Sequence, residues 1–361
     1  MSFSVQPEAL DGYAQQVGRA GDDSTAITGY LSGYPVDAGW DGVLIELIGN
    51  TAFDSMQGAI DTSRKVATIL DQSRSGLTEA AKYYRETDTA SAAKIDASLP
   101  GRCASNPTTL EQRWADQVCG PGYADSRDPS GHLAAVGDVE YSHPLALLDN
   151  LSVSNWTLKG FDYVFGFNPL DKVSEFFVGE WQSVAQAGKA LGHAGEAHDD
   201  LAYNVQGGAI ALGGAWEGLA ADAAYQHFTG LAAGVESLVD PLKKISAEFD
   251  TIAQGVYNTS EAVTGWVKGM ADAAMIAGIA VAAGTVTAET GVGAVVGYGL
   301  ATIEVCELLD MWAQATAAMN NLYAIVQGAL GVIQTQLAFL QHADLPDLSG
   351  YGAYQHPVAG N

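Results

Sequence analysis

Basic residues are scarce in this chain. Sixteen Lys and Arg stand against forty-two Asp and Glu, giving a formal charge of −26 at pH 7. So acidic a surface repels polyphosphates, which argues against a nucleic-acid partner and disfavours anionic membrane surfaces. Cysteine is scarce too: Cys103, Cys119 and Cys306 are the three present. No CxxC occurs, which excludes a zinc ribbon and a thioredoxin motif. Neither G-x-S-x-G nor a P-loop is found, and the histidines show no nucleophile–base pattern, so no enzyme is expected. Residues 1–10 lack both a basic start and an apolar stretch, so a Sec-type signal peptide is not expected there.

Two further patterns fall short of a site. His193, Glu196 and His198 read H-x-x-E-x-H, which matches no zinc motif. On a helix, residues five apart point about 140° away from each other, so a polar face is expected and no metal. Gly291, Gly293 and Gly297 are spaced one residue too wide for a dinucleotide loop, and no clear strand precedes them. No cofactor is expected; a close helix crossing through Gly293 and Gly297 fits better.

What is abundant is small and apolar. Hydrophobic residues make up 48% and charged residues 16%, enough to build a core, and Ala and Gly suit tightly packed helices. The length points to two or three units. Residues 1–98 carry two helical seams. Leu10, Tyr13, Val17, Ala20, Ile27 and Leu31 form the first; Gly33 and Pro35 end it. Phe53, Met56, Ile60, Ser63, Ala67, Leu70, Leu77, Ala80 and Tyr84 form the second, on a helix over about 51–90. Together they predict an antiparallel helical hairpin.

Residues 99–167 read as an irregular connector, with a short helix near 144–151. Cys103 and Cys119 lie in it as a candidate disulfide, two free thiols being the alternative. Residues 168–268 repeat the hairpin. Its first helix, to about 206, carries Val173, Phe177, Trp181, Val184, Leu191 and Leu201. Its second carries Leu231, Val235, Leu238, Leu242, Ile245, Phe249, Ile252, Val256 and Val263, with a kink expected at Pro241. Residues 269–345 are an Ala/Gly-rich apolar helical region with a long helix over about 300–340, expected as a helical hairpin packed on the bundle, with insertion into a membrane as the alternative. Cys306 is expected in its core, and 346–361 is expected to be a frayed, flexible tail. The expected fold is all-α: two long hairpins packed as a four-helix bundle, with a C-terminal helical region.

The two hairpins turn on the same tripeptide. Trp40-Asp41-Gly42 sits in the first break and Trp216-Glu217-Gly218 in the second. An indole staples the helix ends by burial, and a glycine allows a tight path that a Cβ would block. About forty residues beyond each comes a Tyr-x-x-x-acid: Tyr84 with Asp88, and Tyr257 with Glu261. On a helix that spacing puts phenol and carboxylate on one face.

These motifs resemble the WXG family of helical-hairpin proteins secreted by bacterial type VII (ESX) systems. The resemblance covers about two thirds of the chain, not 99–166 or the tail after 270. It implies that Trp40, Gly42, Trp216 and Gly218 mark hairpin turns. It implies that Tyr84, Asp88, Tyr257 and Glu261 form secretion signals, exposed beyond the hairpins. The implied function is a non-enzymatic secreted substrate, a virulence factor or effector of an actinobacterium, found outside the cell or in its envelope. The implied partners are the secretion ATPase and its export machinery, with a small WXG-type partner or chaperone. Two alternatives accompany it: the trafficking part of a longer toxin, and a membrane-perturbing effector acting through the apolar stretch 273–303. Family members pair hairpins from two chains. Here both lie in one chain, so they are expected to pack on each other.

Overall fold

A computed structural model of the chain describes residues 3–36, 41–99, 122–139, 154–286, 292–342 and 352–358, with backbone only over 281–301. Trp40, Cys103, Cys119 and the helix expected near 144–151 lie outside the described residues.

The fold is all-α apart from one two-stranded ribbon. Helix α1 (Pro7–Ser32) opens with its proline in the first turn, where the missing N–H has no helical partner to lose. Helix α2 (Val43–Glu86) folds back along it. Between them the buried Ser24 hydroxyl donates to the Ser63 carbonyl (2.8 Å), so a polar pair is satisfied inside the seam. All six seam residues of α1 are buried; in α2 Phe53 is exposed and most of the rest are buried. The short α3 (Thr89–Asp96) follows α2, capped by Asp88.

The second hairpin is more broken than its seam suggests. Helix α4 (Asn155–Phe165) precedes it, in the stretch expected to be irregular. The first helix is then two, α5 (Pro169–Phe177) and α6 (Trp181–Leu212). The chain breaks at Gly179, which passes against the Ile45 side chain of α2. The Trp181 indole N–H bridges the break by donating to the Phe177 carbonyl (2.7 Å). The return helix is also two, α7 (Leu219–Glu236) and α8 (Val239–Val286). The interruption falls at Ser237–Leu238, not as a kink at Pro241. Pro241 instead occupies the first turn of α8, where a residue without an N–H costs nothing.

Helix α8 runs unbroken across 268–269, where a boundary was expected. Helix α9 (Val292–Gln341) packs back along it, so the two make a third hairpin, and the described parts of the apolar stretch 273–303 belong to its two arms. One core runs through all three hairpins. Helices α1 and α2 pack on α6; α6 packs on α8; α9 lies along α8 and α2. The expected packing of one hairpin on the other is therefore present, extended by a third. Cys306 is exposed, contrary to expectation. It lies two residues before the buried Leu308, so it points about 160° away from the inward face.

Two segments outside the hairpins dock on them. Residues 122–139 wrap α1 and α6. Asn204 accepts from the backbone N–H groups of Ser126 and Arg127 (3.1 Å each), and Arg127 reaches Asp199 and Asp200. The polar face of α6 around Glu196 and Asp200 thus anchors this segment, with His132 between those two acids. Residues 352–358 are the second docked segment. The tail expected to be frayed is held there, with Tyr354 and His356 buried.

Candidate functional site

The tripeptide turns behave alike where they are described. Gly42 and Gly218 each stand immediately before a helix, at φ +131° and +140°, a region that side chains rarely adopt. Each is also crowded. A Cβ on Gly42 would run into the Val178 carbonyl, and one on Gly218 would meet the Asp96 carboxylate at 2.7 Å.

That carboxylate explains the second turn. Asp96, at the end of α3 and buried, accepts from the Leu219 N–H through Oδ2 and from the Ala220 N–H through Oδ1, both at 2.9 Å. It satisfies two of the free donors at the start of α7 and places negative charge at that helix's positive end. The cap comes from the first hairpin to a helix of the second, so it also fastens the two together.

Trp216 lies in a strand. Strand β2 (Trp216–Glu217) pairs antiparallel with β1 (Ser4–Val5), Val5 opposite Trp216, and Gln6 N–H donates to the Ala215 carbonyl (3.0 Å). The indole is buried and meets the Tyr84 ring edge-on, with centroids 5.8 Å apart. Phe3 also packs on Tyr84, with centroids 6.0 Å apart. The first hairpin's tyrosine and the second hairpin's tryptophan therefore share one corner. A cleft of about 330 Å³ opens beside it, lined by Gly213, Trp216, Glu217, Asp222 and Tyr225 among others.

The corner departs from the expected exposed handle. Tyr84 is 7% exposed. Burial pushes its phenol pKa up, while the Trp216 indole beside it pulls the other way. Its hydroxyl lies 2.8 Å from His356 Nε2, and the His356 ring stacks over Trp216. Burial pulls the His356 imidazole down to about 4, opposed by the nearby Asp96. Tyr354 N–H donates to Ser73 Oγ (3.0 Å), and its ring packs on Phe228. The segment passes so close to α2 at Gly76 that a Cβ there would strike the Tyr354 carbonyl.

Tyr84 and Asp88 do not share a helix face. Helix α2 ends at Glu86, Thr87 is extended, and Asp88 accepts from the Ser91 N–H (2.9 Å) as the cap of α3. Asp88 is exposed, and its hydrogen bonds with Ser91 hold its carboxyl below the usual carboxylate range. Tyr257 and Glu261 do share a face, but in the body of α8 and far from its end. Tyr257 is half-buried and Glu261 exposed. The structure brings Tyr84, Asp88, Trp216 and Gly218 to one end of the bundle and leaves Tyr257 and Glu261 out.

Sequence reasoning missed Asp96 and His356. Asp96 is one acid among forty-two, and nothing local tells that it caps a helix over a hundred residues away. The polar histidines of α6 also have structural partners. His193 Nδ1 lies 2.7 Å from the Tyr30 hydroxyl. His198 is fully buried, with Nδ1 2.7 Å from the Ala194 carbonyl and Nε2 3.3 Å from Ser63 Oγ. Burial lowers the His198 pKa to about 4. The Ser63–His198 pair joins the two hairpins inside the core, closed to solvent. Among the described residues no group of three or more His, Cys, Asp or Glu converges on a metal position. Comparison of the chain with protein families, with curated proteins and with solved structures returns no match.

Proposed function

We propose that the chain is a non-enzymatic substrate of an actinobacterial type VII secretion system, with its paired hairpins as the export module. The observation that carries this reading is the meeting of Tyr84 and Trp216, one from each hairpin, at a single corner. In this reading the export signal is that corner as folded. The rings inside fix its geometry. Asp88, Glu217 and the adjoining cleft form the surface that the secretion ATPase or a small hairpin partner touches. Tyr257 and Glu261 have no part in it, because they lie mid-helix.

Export of Asp88→Ala and Tyr257→Ala chains, in a host with and without its ESX system, tests the reading. Asp88→Ala is expected to stop export while leaving the fold intact, and Tyr257→Ala to leave export unchanged. Export of the unaltered chain from the host lacking the system would end the proposal.

A membrane-perturbing role is the second reading. It was expected of the apolar stretch 273–303; among the described residues the helix long and apolar enough to cross a membrane is the adjoining Thr302–Gln341. Leakage of dye from vesicles on adding the chain is its test, and intact vesicles at every lipid composition would dismiss it.

A further inference from the structure

Residues 352–358 lie on the bundle in an extended form. Burial along them alternates: Gly352, Tyr354 and His356 face in, while Gln355 and Pro357 face solvent. Period two is the pattern of an extended chain, whose successive side chains point to opposite sides. Among the described residues no strand pairs with the segment, so its inward side chains do most of the holding.

Those side chains enter a groove with two walls. On one side Ser73, Gly76 and Tyr84 fall within about 80° of one another around α2. On the other stand His227 and Phe228 of α7, with Trp216 at the end. Tyr354 is wedged between the walls. Its N–H donates to Ser73 Oγ (3.0 Å), and its ring meets those of His227 and Phe228, with centroids 5.8 and 5.4 Å away. His356 fills the end, stacked on Trp216 and edge-on to Tyr84. The three atoms nearest a Cβ on Gly76 would all belong to Tyr354. Glycine is a poor residue for a helix interior, and here it makes room for the backbone of the segment.

The fit is incomplete. The Tyr354 and Tyr83 hydroxyls are buried, and neither has a hydrogen-bond partner among the described residues. Each such group weakens docking roughly tenfold. The hairpins, in contrast, are joined without the segment, through Ser24 and Ser63, Ser63 and His198, and the Asp96 cap.

We propose that this groove is a peptide-binding site and that residues 352–358 are its resident, displaceable ligand. The ligand class is an extended segment with a tyrosine facing in and a planar ring two residues further on. The N–H donated to Ser73, the close pass at Gly76 and the two ring positions set that rule. Docked, the segment covers Tyr84, Trp216 and Phe228. Released, it leaves an apolar groove that takes another segment of the same pattern. None of this depends on the export reading.

Hydrogen exchange and peptide binding, both on the full chain, test the proposal. Gly76→Ala favours the helix and blocks the groove. It is expected to speed amide exchange of residues 352–358 at least about tenfold and to leave that of α1 and α6 unchanged. Tyr354→Ala loosens the resident segment and leaves the groove open. A fluorescein-labelled peptide of residues 350–360 is expected to bind the Tyr354→Ala chain with a dissociation constant of about 100 µM. It should bind the wild-type chain at least about tenfold more weakly, because the tethered segment competes at roughly millimolar effective concentration. It should not bind the Gly76→Ala chain. No binding to the Tyr354→Ala chain at about 1 mM peptide overturns the proposal. So does equal affinity for the wild-type and Tyr354→Ala chains, binding that survives Gly76→Ala, or unchanged protection of residues 352–358 in Gly76→Ala. Loss of the hairpins' helix content in either variant also overturns it, since the segment would then be part of the core.

Discussion

The Tyr84 and Tyr257 regions share a spacing, and their surroundings have little in common. Tyr84 ends a helix, and its ring is enclosed by Trp216, Phe3, Tyr83 and His356. Its acid, Asp88, belongs to the next helix. Tyr257 and Glu261 ride on the side of α8 with solvent beside them. The difference comes from what arrives from elsewhere in the chain. At Tyr84 four segments converge: the N-terminal strand, α3, the second turn and residues 352–358. A local motif acquires a corner only where distant segments meet on it.

The comparison can be broken most directly at Trp216. Trp216→Ala removes the ring that Tyr84 and His356 share and is expected to cost about 3–5 kcal/mol in urea unfolding. Tyr257→Ala should cost far less. Equal losses would mean that the corner is no better packed than the side of α8.

The next effect is pH. His356 is docked neutral, its pKa lowered from 6.5 to about 4. A free imidazole takes up a proton below its ordinary pKa, and the docked one resists until about pH 4. The docking of residues 352–358 is therefore fully stable above about pH 6.5 and weakens as pH falls toward 4, by at most about 3 kcal/mol. Amide hydrogen exchange of residues 352–358 should accelerate over that window, and should do so much less in His356→Gln. The Tyr257 stretch should show no matching change.

Asp96→Ala strips α7 of its borrowed cap and is expected to cost about 1–2 kcal/mol. Asp88→Ala, at an exposed cap, should cost less, and the two measured side by side by thermal unfolding sharpen the contrast between buried and surface capping. Smallest of all is Glu261→Ala, expected to change stability by less than about 0.5 kcal/mol, since nothing buried depends on it.

Much of the helical architecture was legible. The seams of α1, α6, α8 and α9 follow three- and four-residue spacing, which one helix imposes on its own residues. Both tripeptide glycines stand where a tight turn needs them. The breaks at Gly179 and Ser237 were less legible, because the seam keeps its phase across them. The corner was read only in part. Trp216, Gly218 and Tyr84 could be picked out by motif, while the Asp96 cap and the docking of Tyr354 and His356 have no local signature.

The sequence by itself determined the long helices of the hairpins and which face of each is apolar, because these follow from neighbours within two helical turns; it did not show α4 or the breaks at Gly179 and Ser237–Leu238. Tertiary structure alone decided that Tyr84 is enclosed, that Asp96 serves a helix of the other hairpin, and that the return helix α8 continues unbroken as the first arm of the C-terminal hairpin. It also decided that residues 352–358 lie down on the bundle. Those outcomes depend on segments far apart in the chain meeting in space, and the periodicity of a single helix carries no record of its partners.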